Sequence, residues 1–180
     1  MTRSLRLKLV MFMALLLIAA MFVVGSFLIN GVKSFYADSF FDQMGKVFTQ
    51  EYIYQLDEAS ASGPQRVKEL LMSTSNLGIN LSSRNAYVLS ASGEVLAGSD
   101  ETESVEISRN ILIAMDDGQV GQRHNIILSQ MDVAIPVGSG ENACIVYILD
   151  NGEAETRLSG EVMVIIIDIF AVSKVLKQNL

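Results

Sequence analysis

Met131–Leu149 reads MDVAIPVGSGENACIVYIL. Met131, Val133, Ile135 and Val137 alternate with Asp132, Ala134 and Pro136, the period-two pattern of a strand with one buried face. Pro136 has no N–H to donate, which places it at a sheet edge or a strand end. Gly138-Ser139-Gly140 turns the chain into Ala143–Leu149, whose unbroken apolar run suits a central strand. A strand, a glycine turn and a second strand predict antiparallel pairing.

Upstream, Ala86–Ser90, the turn Ala91-Ser92-Gly93 and Glu94–Ala97 read as another hairpin. Between the two hairpins lies a helix with Ser108 as its N-cap. Its inner face is Ile111, Leu112 and Met115, and Asp116-Asp117-Gly118 ends it. Gln122-Arg123-His124-Asn125 reads as a polar loop. Earlier still, Tyr36, Phe40, Met44, Val47 and Phe48 mark one face of a helix across Lys33–Asp57. Ser60–Gly63 breaks that pattern, and Pro64 suits the first turn of a second helix. Val67, Leu70, Leu71 and Thr74 follow at helical spacing, with Gly78 as a stop. Helices first and antiparallel strands after make the domain α+β.

The flanks are of a different kind. Leu9–Val32 is 24 residues without a charge. Twenty such residues form a helix about 30 Å long, the thickness of a bilayer's hydrocarbon core. Arg3, Arg6 and Lys8 precede it, so a transmembrane helix with a cytoplasmic amino terminus is expected. A cleaved signal peptide fits less well, because its apolar core is shorter and ends at small residues. At the far end, Val162–Val172 is an eleven-residue run interrupted by Asp168, about 16 Å as a helix. A carboxylate at mid-membrane costs roughly 2.5–3.5 kcal/mol, so this segment reads as an incomplete or defective second span. The chain is thus divided into a cytoplasmic tail (1–8), a transmembrane helix (9–32), an extracytoplasmic domain (33–157) and a short apolar helix (158–180).

Charge and composition narrow the function. Of the 180 residues, 50% are apolar and 18% charged, and the mean hydropathy is +0.36. The net charge of −7 comes from the middle: residues 1–32 carry +3, residues 33–161 carry −11 and residues 162–180 carry +1. An acidic middle speaks against nucleic acid, which needs clustered Lys and Arg. The lone Cys144 and lone His124 leave no disulfide framework and no multi-His or Cys-rich metal site, so neither a metal nor another cofactor is expected. Asp57-Glu58, Asp100-Glu101 and Asp116-Asp117 are sequence-adjacent and read as solvated charge, not opposed acid and base. No GxSxG elbow or DxDxDG loop occurs, and no catalytic residue is assigned. Tyr87, Asp132 and Tyr147 are the polar-tipped strand residues that would face a ligand pocket between sheet and helices.

These residues resemble a family. The basic tail, Gly25-Ser26-Phe27-Leu28-Ile29-Asn30, Phe35-Tyr36, Tyr87-Val88-Leu89, Gly93–Asp100, Met131–Val137 and Ile145–Asn151 are similar to the N-terminal sensor region of Gram-positive, clostridial-type membrane sensor histidine kinases. The resemblance implies a PAS-like (single-Cache-like) extracytoplasmic domain, a bacterial cell-membrane location, a homodimer and an unidentified extracellular stimulus or small ligand. It also implies a two-component signal-transduction role. The HAMP linker, phosphoacceptor histidine and ATP-binding domain of that family have no counterpart here, so the chain itself is not expected to be an enzyme. A frameshift or early stop near Ile167 would account for that and for Asp168. The alternative is a membrane-anchored binding or adaptor protein, complete at this length, that regulates a partner.

Overall fold

The two strands of 131–149 sit side by side in an antiparallel sheet. In the computed structural model, which describes residues 2–79, 84–100, 104–125 and 130–178, that sheet has five strands among the described residues. They are β1 (Arg84–Ser90), β2 (Val95–Gly98), β3 (Gly121–Asn125), β4 (Gln130–Val137) and β5 (Cys144–Asp150), in the order β2-β1-β5-β4-β3. The apolar run 143–149 is indeed the central strand. It pairs with β1 on one side, Tyr87 opposite Tyr147, and with β4 on the other, Ala134 opposite Tyr147. Pro136 lies inside β4, but the ladder to β3 has already ended opposite Ala134, so no strand pairs with β4 at Pro136 on that side.

One sheet face packs under three helices: the end of α1 (Thr2–Val47), α2 (Gln50–Ala61) and α3 (Pro64–Ser73). Phe40 and Met44, Leu56, and Val67 and Leu71 meet Val88, Met131, Val133, Ile135, Val146 and Ile148 there. Burying each such side chain stabilises the fold by about 1.5–3 kcal/mol. The opposite face packs under α4 (Arg109–Asp116), where Ile111 and Ala114 meet Tyr87, Leu89, Ala134, Ile145 and Tyr147. Strand β4 is therefore covered on both faces. The period-two pattern predicted only one, because Asp132 and Ala134 look like outward positions until a helix lies over them.

Three local readings change. The helix expected over Lys33–Asp57 breaks at Thr49, which is extended (φ −67°, ψ 161°) and accepts the Tyr52 N–H on its Oγ1 at 3.3 Å. A capping threonine inside a continuous apolar face is invisible to periodicity. The polar 122–125 segment, expected to be a loop, is strand β3, so His124 lies on an edge strand. Its ladder to β4 runs through backbone groups and needs no apolar alternation. On α4, Leu112 points outward and its expected place is taken by Asn110, which is buried. The other elements begin and end close to where the turn residues placed them, with Pro64 in the first turn of α3.

The chain divides into two units, Tyr36–Ala154 and a second made of Met1–Phe35 with Glu155–Leu180. The first holds the sheet. In the second, α1 contributes an apolar stretch with Phe12, Leu15, Phe22 and Phe27 exposed. Among the described residues this is the one helix long and apolar enough to cross a membrane, with a mean hydropathy of 2.7 over its most apolar window. Helix α5 (Glu153–Gln178) begins earlier than the apolar run suggested. Within that unit, Met163 and Ile167 of α5 and Ile18, Phe22 and Gly25 of α1 line an apolar groove of about 480 Å³.

Candidate ligand-recognition site

The three polar-tipped strand residues arrive on one face because of strand parity. Tyr87 on β1 and Tyr147 on β5 are register partners, and Asp132 on β4 lies opposite Leu149, two residues along β5. All three project toward α4 and all are buried. The tyrosine rings lie 6.3 Å apart at 29°, a stacked arrangement of cross-strand partners.

The polar tips are joined by residues that the strand pattern did not single out. The Tyr87 hydroxyl donates to Asp100 Oδ2 at 2.9 Å. Ser108 Oγ donates to Asp132 Oδ2 at 2.5 Å, and Asn110 Nδ2 donates to Asp132 Oδ1 at 2.7 Å and to the Asp132 carbonyl at 3.0 Å. Ser108 does a second job, accepting the Ile111 N–H at 3.2 Å as the N-cap of α4. The Tyr147 hydroxyl lies close enough to Ser108 and Asp132 for both to influence its titration. One buried carboxylate thus gathers a helix N-cap and a helix side chain, with Tyr147 beside them.

Burial pushes the Tyr147 phenol well above its ordinary value, and the Asp132 charge pushes it the same way, against a smaller opposing effect of Ser108. Tyr147 is accordingly a hydrogen-bond donor at neutral pH, not a base. The group offers hydroxyl and amide donors, carboxylate acceptors and aromatic faces, the chemistry of recognising a small polar molecule. Asp100 and Asp57, both read as solvated, each hold a partner: Asp57 Oδ1 accepts the Gly138 N–H at 2.6 Å. Glu101 lies outside the described residues. Arg123 is the register partner of Asp132 on β3.

One backbone feature holds α4 against the sheet. A Cβ on Gly121 would stand 2.1 Å from the Asn110 carbonyl oxygen, so only glycine lets β3 approach the helix that carries Asn110. Asn110 itself could have been found, since it falls on the same helical face as Ile111 and Ala114, where a polar residue has to be buried. Cys144, on the other face, is buried, and desolvation with the nearby Asp57 charge pushes its thiol up to about 11. Such a thiol packs as a small hydrophobe. Among the described residues no group of three His, Cys, Asp or Glu is placed to hold a metal. No family model, curated protein or solved structure matches the chain.

Proposed function

We propose that the chain is a membrane-anchored sensor region of the histidine-kinase type, its 36–154 unit a PAS-like domain outside the cytoplasm. The observation that carries this reading is the convergence of Tyr87, Asp132 and Tyr147, with Ser108 and Asn110, on one buried sheet face under α4. Three things support it. The β2-β1-β5-β4-β3 order, with helices ahead of β1 and a helix in the β2–β3 crossover, is the arrangement a PAS-like domain requires. The apolar part of α1 meets the length and composition of a membrane span, and its basic flank favours a cytoplasmic amino terminus. The buried cluster sets hydroxyl, amide and carboxylate groups beside two stacked tyrosine rings, the mix of polar and aromatic groups that suits recognition of a small polar molecule.

In this reading a small polar ligand engages Asp132 and the tyrosine hydroxyls and so draws on the bonds that cap α4. The ligand's differential affinity for two α4 positions is what biases the domain. The membrane is the first partner, and a second copy of the chain is the other.

The test has two parts on the full chain in bacterial membranes. Alkaline phosphatase fused within the exposed turn at Ser139 should be active and green fluorescent protein at the same point dark; the reverse pattern overturns the topology. Thermal-shift screening of small polar metabolites should find a stabilising ligand whose effect falls at least tenfold in apparent affinity in Asp132→Asn and Tyr147→Phe. A stabiliser indifferent to both substitutions would remove the site assignment.

A further inference from the structure

The two ends by which the Tyr36–Ala154 unit continues into the rest of the chain meet at one guanidinium. Arg84, the first residue of β1, is largely buried, with 16% of its side chain exposed. Its Nε donates to Asp150 Oδ2 at 2.7 Å, and one of its NH groups donates to Gln43 Oε1 at 2.7 Å and to the Leu77 carbonyl at 3.1 Å. Its charge also lies 5.1 Å from the centre of the Phe40 ring. Phe40 and Gln43 are on α1, the element that leaves the unit at Tyr36. Asp150 ends β5, and its second oxygen, Oδ1, accepts the Gly152 N–H at 3.0 Å, one residue before α5 starts.

This arrangement is more than a buried ion pair. Gln43 is itself tethered, its Nε2 donating to the Asn76 carbonyl at 2.6 Å. Arg84 and Asp150 are register partners across β1 and β5, so the sheet ladder holds their backbones opposite one another. A planar guanidinium presents its donors in a fixed fork, and it cannot discharge when buried. Movement of α1 at Gln43 therefore pulls on the fork, the fork pulls on Asp150, and Asp150 holds the Gly152 amide, the last before α5.

We infer that Arg84 is the coupling joint of the unit: it ties the α1 end to the β5–α5 end so that the two shift together. The use of that joint in signalling rests on the sensor reading above, but its test needs no ligand and so fails or succeeds separately.

The test is amide hydrogen exchange on the full chain in lipid nanodiscs, read by NMR or by fragmentation mass spectrometry. Gln43 shares no hydrogen bond with Gly152, yet Gln43→Ala should speed exchange at the Gly152 amide about fivefold or more, the lower end of ordinary coupling between sites. Gln43→Glu keeps an acceptor for Arg84 while losing the donor to the Asn76 carbonyl, and should restore protection at least in part. In an Arg84→Met background the Gln43→Ala effect should vanish. Amides of Ile111 and Ala114, on the opposite sheet face, should not respond. An unchanged Gly152 amide in Gln43→Ala overturns the inference, and so does equal acceleration at Ile111 and Ala114. If Arg84→Met does not fold, the Ala and Glu variants of Gln43 decide the matter alone.

Discussion

Asp132 shows how much one side chain's role depends on its cover. In the strand pattern it is the polar partner of an apolar alternation, a position that ordinarily faces water. Here it is 7% exposed and holds Ser108 and Asn110. A buried carboxylate left without donors would be costly, so these bonds are a condition of the fold. The acidic groups buried on both sheet faces also set a pH dependence. Tyr147 and Cys144 have folded pKa values above their ordinary values of 10.0 and 9.0. The unfolded chain therefore loses these protons first as pH rises. Stability from these groups is complete below pH 9 and declines above it, with the Cys144 part gone once pH passes its folded value of about 11. Denaturant midpoints measured from pH 7 to 11 should fall above pH 9. Tyr147→Phe should flatten the decline above pH 10, and a midpoint that holds level to pH 11 would contradict this account.

At the level of elements, the contact between β3 and α4 is the least expected from the sequence. β3 is a short polar edge strand, and its neighbour α4 is only eight residues long. Neither would be stable alone, since helices that short depend on tertiary packing. They support each other where Gly121 passes under the Asn110 carbonyl. Gly121→Ala should destabilise the domain by about 2 kcal/mol or more, at the upper end of overpacking costs, because the obstructing atom is backbone. It should also weaken any ligand that depends on Asn110 and Asp132. Chemical denaturation of the domain measures the first effect, and a midpoint shift below about 0.5 kcal/mol would mean β3 moves aside freely. Pro64 at the start of α3 and Ser108 at the start of α4 belong to the same scale. Both were legible in advance, because their local chemistry, not their surroundings, makes them helix starts.

For the whole molecule, the decisive contrast is between the two units. Tyr36–Ala154 has a sheet covered on both faces, with Phe40, Met44, Leu56 and Val67 essentially inaccessible. Among the described residues, the other unit leaves most of its apolar side chains exposed, an arrangement stable in lipid and unfavourable in water. The first should therefore fold by itself. A chain of residues 36–154 should be soluble, show mixed helix and strand by circular dichroism, and melt in one cooperative step. The full chain should remain with membranes after an alkaline carbonate wash. Aggregation of 36–154, or release of the full chain by the wash, would break this division.

The sequence by itself determined the class of most of the elements in the 36–154 unit. Alternation at 131–137 and the apolar run at 143–149 marked two strands, and the uncharged stretch at 9–32 a long apolar helix, because periodicity and hydropathy are local properties of the chain. Turn glycines and capping residues likewise marked most of the boundaries. Only the tertiary structure decided which strands were covered twice, that 122–125 is a strand, and that Arg84, Gln43 and Asp150 form one cluster. Those facts depend on residues far apart in the chain, Gln43 and Arg84 being 41 positions apart and Arg84 and Asp150 66. The same holds for the site. Tyr87, Asp132 and Tyr147 were legible as polar tips on apolar strands, but Ser108, Asn110 and Asp100 joined them only when α4 was laid across the sheet. Partners of that kind are chosen by packing, which no pattern within a single element records.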